Sequence, residues 1–171
     1  FVADTGSNRV IIYDTTSITD GENAINVLGQ ADFISSVFAT TQSWMRAPEG
    51  VVYDSVNSRL IVGDTANRRI LFFDVSSITN GENAINVLGQ SNFTSVTLAV
   101  TQAGFDFPYG LGYDSANNRL FIADSANNRV LVFDTRVKIH SASSYLYKDI
   151  DADNTVSVND IRHNTATSVV S

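Results

Sequence analysis

The chain repeats itself every 60 residues. Laid over residues 61–120, residues 1–60 agree at 31 of 60 positions without a gap, and the block GENAINVLGQ stands unchanged at 21–30 and 81–90. A third copy starts at Phe121 and loses its likeness after Asp134. Self-similarity at a fixed long period means one supersecondary unit used several times, each too small to bury its own faces and stable only when stacked on neighbours.

The unit is legible from its apolar runs. Val51-Val52-Tyr53, Leu60-Ile61-Val62 and Ile70-Leu71-Phe72-Phe73 are separated by 54–59 and 64–69, two stretches rich in Asp, Ser and Asn. Those residues bond their own backbone and tolerate left-handed conformations, so they read as turns. Runs of three to five residues filled with β-branched and aromatic side chains read as strands rather than helices. A fourth run, 84–88, follows Asn80-Gly81, and its counterpart follows Asp20-Gly21, dipeptides that supply the positive φ of tight turns. Each unit is therefore expected to be a meander of four short antiparallel strands. The middle runs are apolar at every position, which implies burial on both sheet faces. Small four-stranded sheets stacked radially make a β-propeller, whereas a sandwich would not explain the repeat. The expected fold is all-β, with about three four-stranded antiparallel blades over residues 1–135 in an incomplete ring.

The segment FVADTGSNRVIIYD at 1–14 resembles the NHL repeat, as do 61–74 and 121–134, and Gly110-Leu111-Gly112-Tyr113-Asp114 is similar to that family's opening strand. The resemblance implies a propeller, commonly of six blades. It also implies that this chain holds the last three strands of one blade, one full blade and the first three strands of another. About three blades cannot close a ring. The opening, which reads as mid-strand with no start methionine or signal peptide, is taken as that of a fragment or a processed chain.

Asp4, Asp64 and Asp124, with Arg9, Arg69 and Arg129, recur at one spacing in every copy. They read either as a ring of charges that binds a ligand or as pairs that brace each hairpin turn, and the brace is favoured. Differences between copies carry more information about function. The long connections at 31–48 and 91–108 are expected on a propeller face, where loops hold ligands. There Trp44, Arg46, Phe105 and Tyr109 would form a patch for a peptide or glycan, unless the aromatic rings cap the gaps between blades.

Composition removes several classes. Two lysines and a net charge of −7 leave no electrostatic footprint for nucleic acid. No cysteine is present, which excludes disulfides, thiolate metal sites and cysteine nucleophiles. No apolar run approaches the roughly 18 residues of a membrane span. Some propellers resembling this one are lyases or hydrolases, the lyases using several histidines on zinc. Both histidines here, His140 and His163, lie outside the repeats, so no multi-histidine zinc site can form within them.

Beyond Asp134 the composition changes: 136–147 reads as a linker or edge strand and 148–171 as a calcium-binding tail. Read as a 12-residue loop, oxygen side chains fall at positions 1, 3, 5, 9 and 12, namely Asp149, Asp151, Asp153, Ser157 and Asp160, with the Thr155 carbonyl at position 7. Ca2+ takes six to eight hard oxygens, and this EF-hand-like spacing brings them to one point. Asn154 replaces the usual glycine and is tolerated because Asn visits left-handed conformations. With Asp at position 12 and Ser at position 9, the loop resembles that of a dockerin, the plug that docks onto cohesin modules of secreted bacterial assemblies. Dockerins carry two such loops, and one lies before Ser171.

The reading that follows is a non-enzymatic bacterial scaffold, extracellular or on the cell surface, that binds protein or glycan and carries a calcium-ordered attachment element. Two alternatives stand beside it. One is a self-assembling subunit whose blades pair between chains into a ring or fibre. The other is part of a propeller hydrolase or lyase whose site lies in further blades.

Overall fold

The computed structural model describes residues 1–136; the tail read from the sequence as a calcium loop, including Asp149, Asp151, Asp153, Thr155, Ser157 and Asp160, lies outside the described residues. Three antiparallel sheets follow one another along the chain. The first pairs β1 (Val2–Asp4), β2 (Arg9–Ile12) and β3 (Asn26–Leu28). The second is a four-stranded meander of β4 (Pro48–Asp54), β5 (Arg59–Asp64), β6 (Arg69–Asp74) and β7 (Asn86–Leu88). The third pairs β8 (Pro108–Asp114), β9 (Arg119–Asp124) and β10 (Arg129–Asp134). These are β-propeller blades, with the three-, four- and three-stranded distribution that the repeat implies.

The turns form for the reasons the sequence offers. In the β4–β5 turn the Asp54 carboxylate accepts the Val56 and Asn57 backbone N–H groups, the Asn57 amide at 2.8 Å and the Arg59 guanidinium at 2.6 Å. Asp114 repeats the arrangement with Ala116 and Asn117. A one-turn 3₁₀ helix joins β1 to β2, β5 to β6 and β9 to β10, and each ends on a left-handed residue: Asn8, Arg68 or Asn128.

The central sheet is buried on both faces because its side chains alternate between two neighbours. Leu60, Val62, Leu71 and Phe73 pack with Val10, Ile12 and Leu28 of the first sheet. Ile61, Ile70 and Phe72 pack with Leu120, Ile122 and Phe105 on the side of the third. At the inner strands the backbones themselves approach: a Cβ on Gly50 in β4 would lie 2.6 Å from the Tyr109 carbonyl oxygen in β8. Only glycine allows that spacing.

Candidate binding face

The 3₁₀ turns of the second and third sheets anchor the connection that leads into their own sheet, and those of the first and second sheets also hold the connection that follows. Asp64, fully buried, receives the Arg46 backbone N–H at 2.7 Å, the Asn67 amide at 2.9 Å and Arg69 Nε at 2.6 Å. Arg69, equally buried, also donates to carbonyls of both connections: Thr41 at 2.8 Å, Trp44 at 2.9 Å, and Phe93. Burial pushes the Asp64 carboxyl above the ordinary carboxylate range, and Arg69 pulls it back. The third copy reproduces this: Asp124 accepts Asp106 N–H, Asn127 and Arg129, and Arg129 reaches the Thr101 and Gly104 carbonyls. In the first copy Arg9 pairs with Asp4 at 2.7 Å and bonds the Phe33 carbonyl. All these charges hold loops onto blades, and the brace reading of the repeated Asp–Arg pairs describes what the side chains do.

The connections are pinned by one apolar residue each. Met45 and Phe105, 60 residues apart, are both fully buried. Phe105 makes an edge contact with Phe133 at 5.8 Å and belongs to the cluster between the second and third sheets. Each plug sits over a glycine in the left-handed region. A Cβ on Gly29 (φ +88°) would come within 2.5 Å of Met45 Cε, and one on Gly89 (φ +93°) within 2.2 Å of Phe105 Cδ2.

This geometry divides the four residues read from the sequence as a binding patch. Phe105 is packed between blades and offers nothing to a ligand, as the gap-capping alternative has it. Trp44 is half-buried and its backbone bridges Gly29. Arg46 is exposed, with its guanidinium 4.6 Å over the Phe38 ring. Tyr109 is exposed on β8. Sequence reasoning passed over the apolar residues of the connections themselves. Ile34 (92% exposed) and Phe38 (56%) stand out from the first connection, Leu98 (55%) and Val100 (66%) from the second. Phe38 and Leu98 are repeat equivalents, which is the signal that could have found them. Beside the second connection lies an open depression of about 310 Å³, lined by Val87, Gly89, Ser91, Ala99, Thr101 and Gly104 among others. Gly104 occupies the position that Trp44 holds in the preceding copy.

Among the described residues no group of three or more His, Asp or Glu is placed to hold a metal ion. No helix of the described residues is long and apolar enough to cross a membrane.

Stacked antiparallel blades whose repeated polar groups are spent internally, and whose loops carry the variation, define a β-propeller-type repeat module. Residues 105–133 match the family model of the NHL repeat, from the Phe105 plug through β8 and β9 to Phe133 in β10. No curated protein matches the chain. NHL repeats are protein-interaction modules, and a protein partner is the general expectation for such blades.

Proposed function

We propose that the chain is a non-enzymatic scaffold that binds a protein partner through the end of the blades carrying the long connections. The observation that supports this is the pairing of exposed apolar side chains, Ile34 and Phe38 with Leu98 and Val100, on consecutive connections that buried Met45 and Phe105 hold in place. Exposed apolar side chains on rigid loops favour a peptide over a glycan, which would need more convergent hydrogen-bonding groups. Arg46 and Tyr109 would add polar contacts at the rim. A phage-displayed peptide library selected on the full chain tests this. Enriched peptides should lose at least tenfold in affinity against Phe38→Ser or Leu98→Ser. Selection of no peptide, or of peptides indifferent to both substitutions, would reject the reading.

The tail extends the proposal. Asp149, Asp151, Asp153, Ser157 and Asp160, with the Thr155 carbonyl, have the spacing of a Ca2+ loop, and four carboxylates that repel one another until an ion bridges them would couple ordering of the tail to calcium. An extracellular or cell-surface setting, where calcium is abundant, suits a single loop of modest affinity. Calorimetric titration of the full chain with calcium chloride should give one site, abolished by Asp149→Ala with Asp153→Ala. Absence of heat in the unsubstituted chain would remove the calcium element and leave the scaffold reading standing.

A further inference from the structure

We infer that Asn92 is an acceptor for an N-linked oligosaccharide. Of the sixteen asparagines in the chain, Asn92 alone is followed two positions later by Ser or Thr, in Asn92-Phe93-Thr94. A hydroxyl at that spacing, with no proline between, is the pattern that oligosaccharide transfer to asparagine requires. Copy one reads Asp32-Phe33-Ile34 at the same place. Two separate changes therefore create the pattern, while the phenylalanine between them and the serine after them (Ser35 and Ser95) stay the same.

The local turn does not account for an asparagine here. In copy one Asp32 Oδ1 accepts the backbone N–H groups of Ile34 at 3.0 Å and Ser35 at 2.7 Å. Asn92 Oδ1 accepts the equivalent N–H groups of Thr94 and Ser95, both at 2.9 Å, and their hydroxyls at 3.0 Å and 2.9 Å. The turn thus needs one side-chain oxygen, which an aspartate supplies equally well. Asn92 Nδ2 makes a single approach, to Ser91 Oγ at 3.5 Å, which is beyond the length of an ordinary hydrogen bond. Asn92 and Thr94 are exposed, whereas Phe93 between them packs on the cluster shared by the first two sheets and its carbonyl accepts a bond from Arg69. The segment is therefore anchored through its middle residue and free at the acceptor nitrogen. A sugar on Nδ2 leaves the carbonyl oxygen and one N–H in place, so every bond of the turn survives and the glycan extends into solvent.

The transfer balances without a redox partner. The carboxamide nitrogen bonds to C1 of a sugar carried on a polyprenyl diphosphate. The bond from C1 to the diphosphate breaks, the diphosphate leaves with the electron pair, and one amide proton passes to a base. The inference rests on the proposed extracellular setting, because such donors are used in membranes that exporting chains cross.

Translation of the full 171-residue chain behind a cleavable secretory leader, with microsomes present, tests the inference. The protease-protected product should exceed the 18.5 kDa chain by one glycan, and peptide-N-glycosidase should remove the excess. Asn92→Asp and Thr94→Ala should each abolish the increment, and Thr94→Ser should keep it. Asn92→Asp should also unfold at the same urea concentration as the unglycosylated chain, since the turn uses the oxygen alone. Asp32→Asn combined with Ile34→Thr should add a second glycan, on copy one. Should the leader fail to carry the chain across, purified oligosaccharyltransferase with a lipid-linked donor, acting on full chain diluted from urea, reads the same acceptor. A protected chain of unshifted mass would overturn the inference, and so would an increment that survives Asn92→Asp. Destabilisation by Asn92→Asp would also overturn it, by showing that the asparagine serves the fold. Because the leader imposes the location, failure here removes the acceptor and leaves the extracellular reading standing. None of these readouts involves Phe38, Leu98 or calcium, so the peptide-binding and calcium proposals fail separately.

Discussion

Arg69 shows how a charge can be wholly committed to structure. Its guanidinium and the Asp64 carboxylate are out of solvent, and besides bonding each other they bond loop carbonyls, a loop N–H and Asn67. Replacing Arg69 with Ala leaves a buried carboxylate without its counter-charge. The expected loss is about 3–5 kcal/mol in urea unfolding, with Arg69→Lys recovering part of it because an ammonium cannot reproduce the planar fork. The equivalent Arg129 is partly exposed, so Arg129→Ala should cost less. Proton linkage acts on other carboxylates. Burial pushes Asp54 up, but bonds from Arg59 and Asn57 outweigh it and hold it below the ordinary range. Asp114 is held low chiefly by Asn117 and Asp134 by Arg136. A lowered folded pKa gives stability that is complete above the unfolded value of about 3.9 and is lost as pH falls through the folded value. Asp64, raised by burial, works in the opposite sense and blunts the loss. Melting temperature followed from pH 6 to pH 2.5 should thus hold steady and then fall below about pH 4; Asp54→Asn should make that fall shallower.

The long connection is the element that sequence patterning reads least well. Strands announce themselves through apolar runs and Asx turns, and the runs at 51–53, 60–62 and 70–73 became β4, β5 and β6. Asn80-Gly81 and Asp20-Gly21 placed their glycines at φ +68° and +74°. A connection has no such period, so nothing local marks Phe105 as buried or Leu98 as exposed. What marks them is comparison between copies: Met45 and Phe105 are both bulky and apolar, as a plug must be, whereas Trp44 against Gly104 is a change that a shared core would not accept. If the plug is the anchor, Phe105→Ala should cost about 3–5 kcal/mol. Gly89→Ala should also destabilise, because its added Cβ meets the Phe105 ring and its φ of +93° disfavours any side chain. Trp44→Ala, at a half-buried site, should cost less than Phe105→Ala in the same urea titrations.

For the whole molecule the decisive property is that one sheet faces two neighbours. The unbroken apolar runs of β5 and β6 agree with this, as both of their faces are buried. The outer sheets carry similar runs, yet β10 alternates between exposed and half-buried positions because one of its faces meets no described neighbour. That contrast could not be read from the residues, since Val130-Leu131-Val132-Phe133 is as apolar as its buried counterpart. The central claim is that consecutive side chains of β5 and β6 point into different blade interfaces. Methyl-to-methyl NOE measurements on the full chain test it most directly. Between sheets, Val62 and Leu71 should show cross-peaks to Val10, Ile12 and Leu28 and none to Leu120 or Ile122, and Ile61 and Ile70 the reverse. Cross-peaks joining Val62 and Ile61 to one common neighbouring sheet would contradict it.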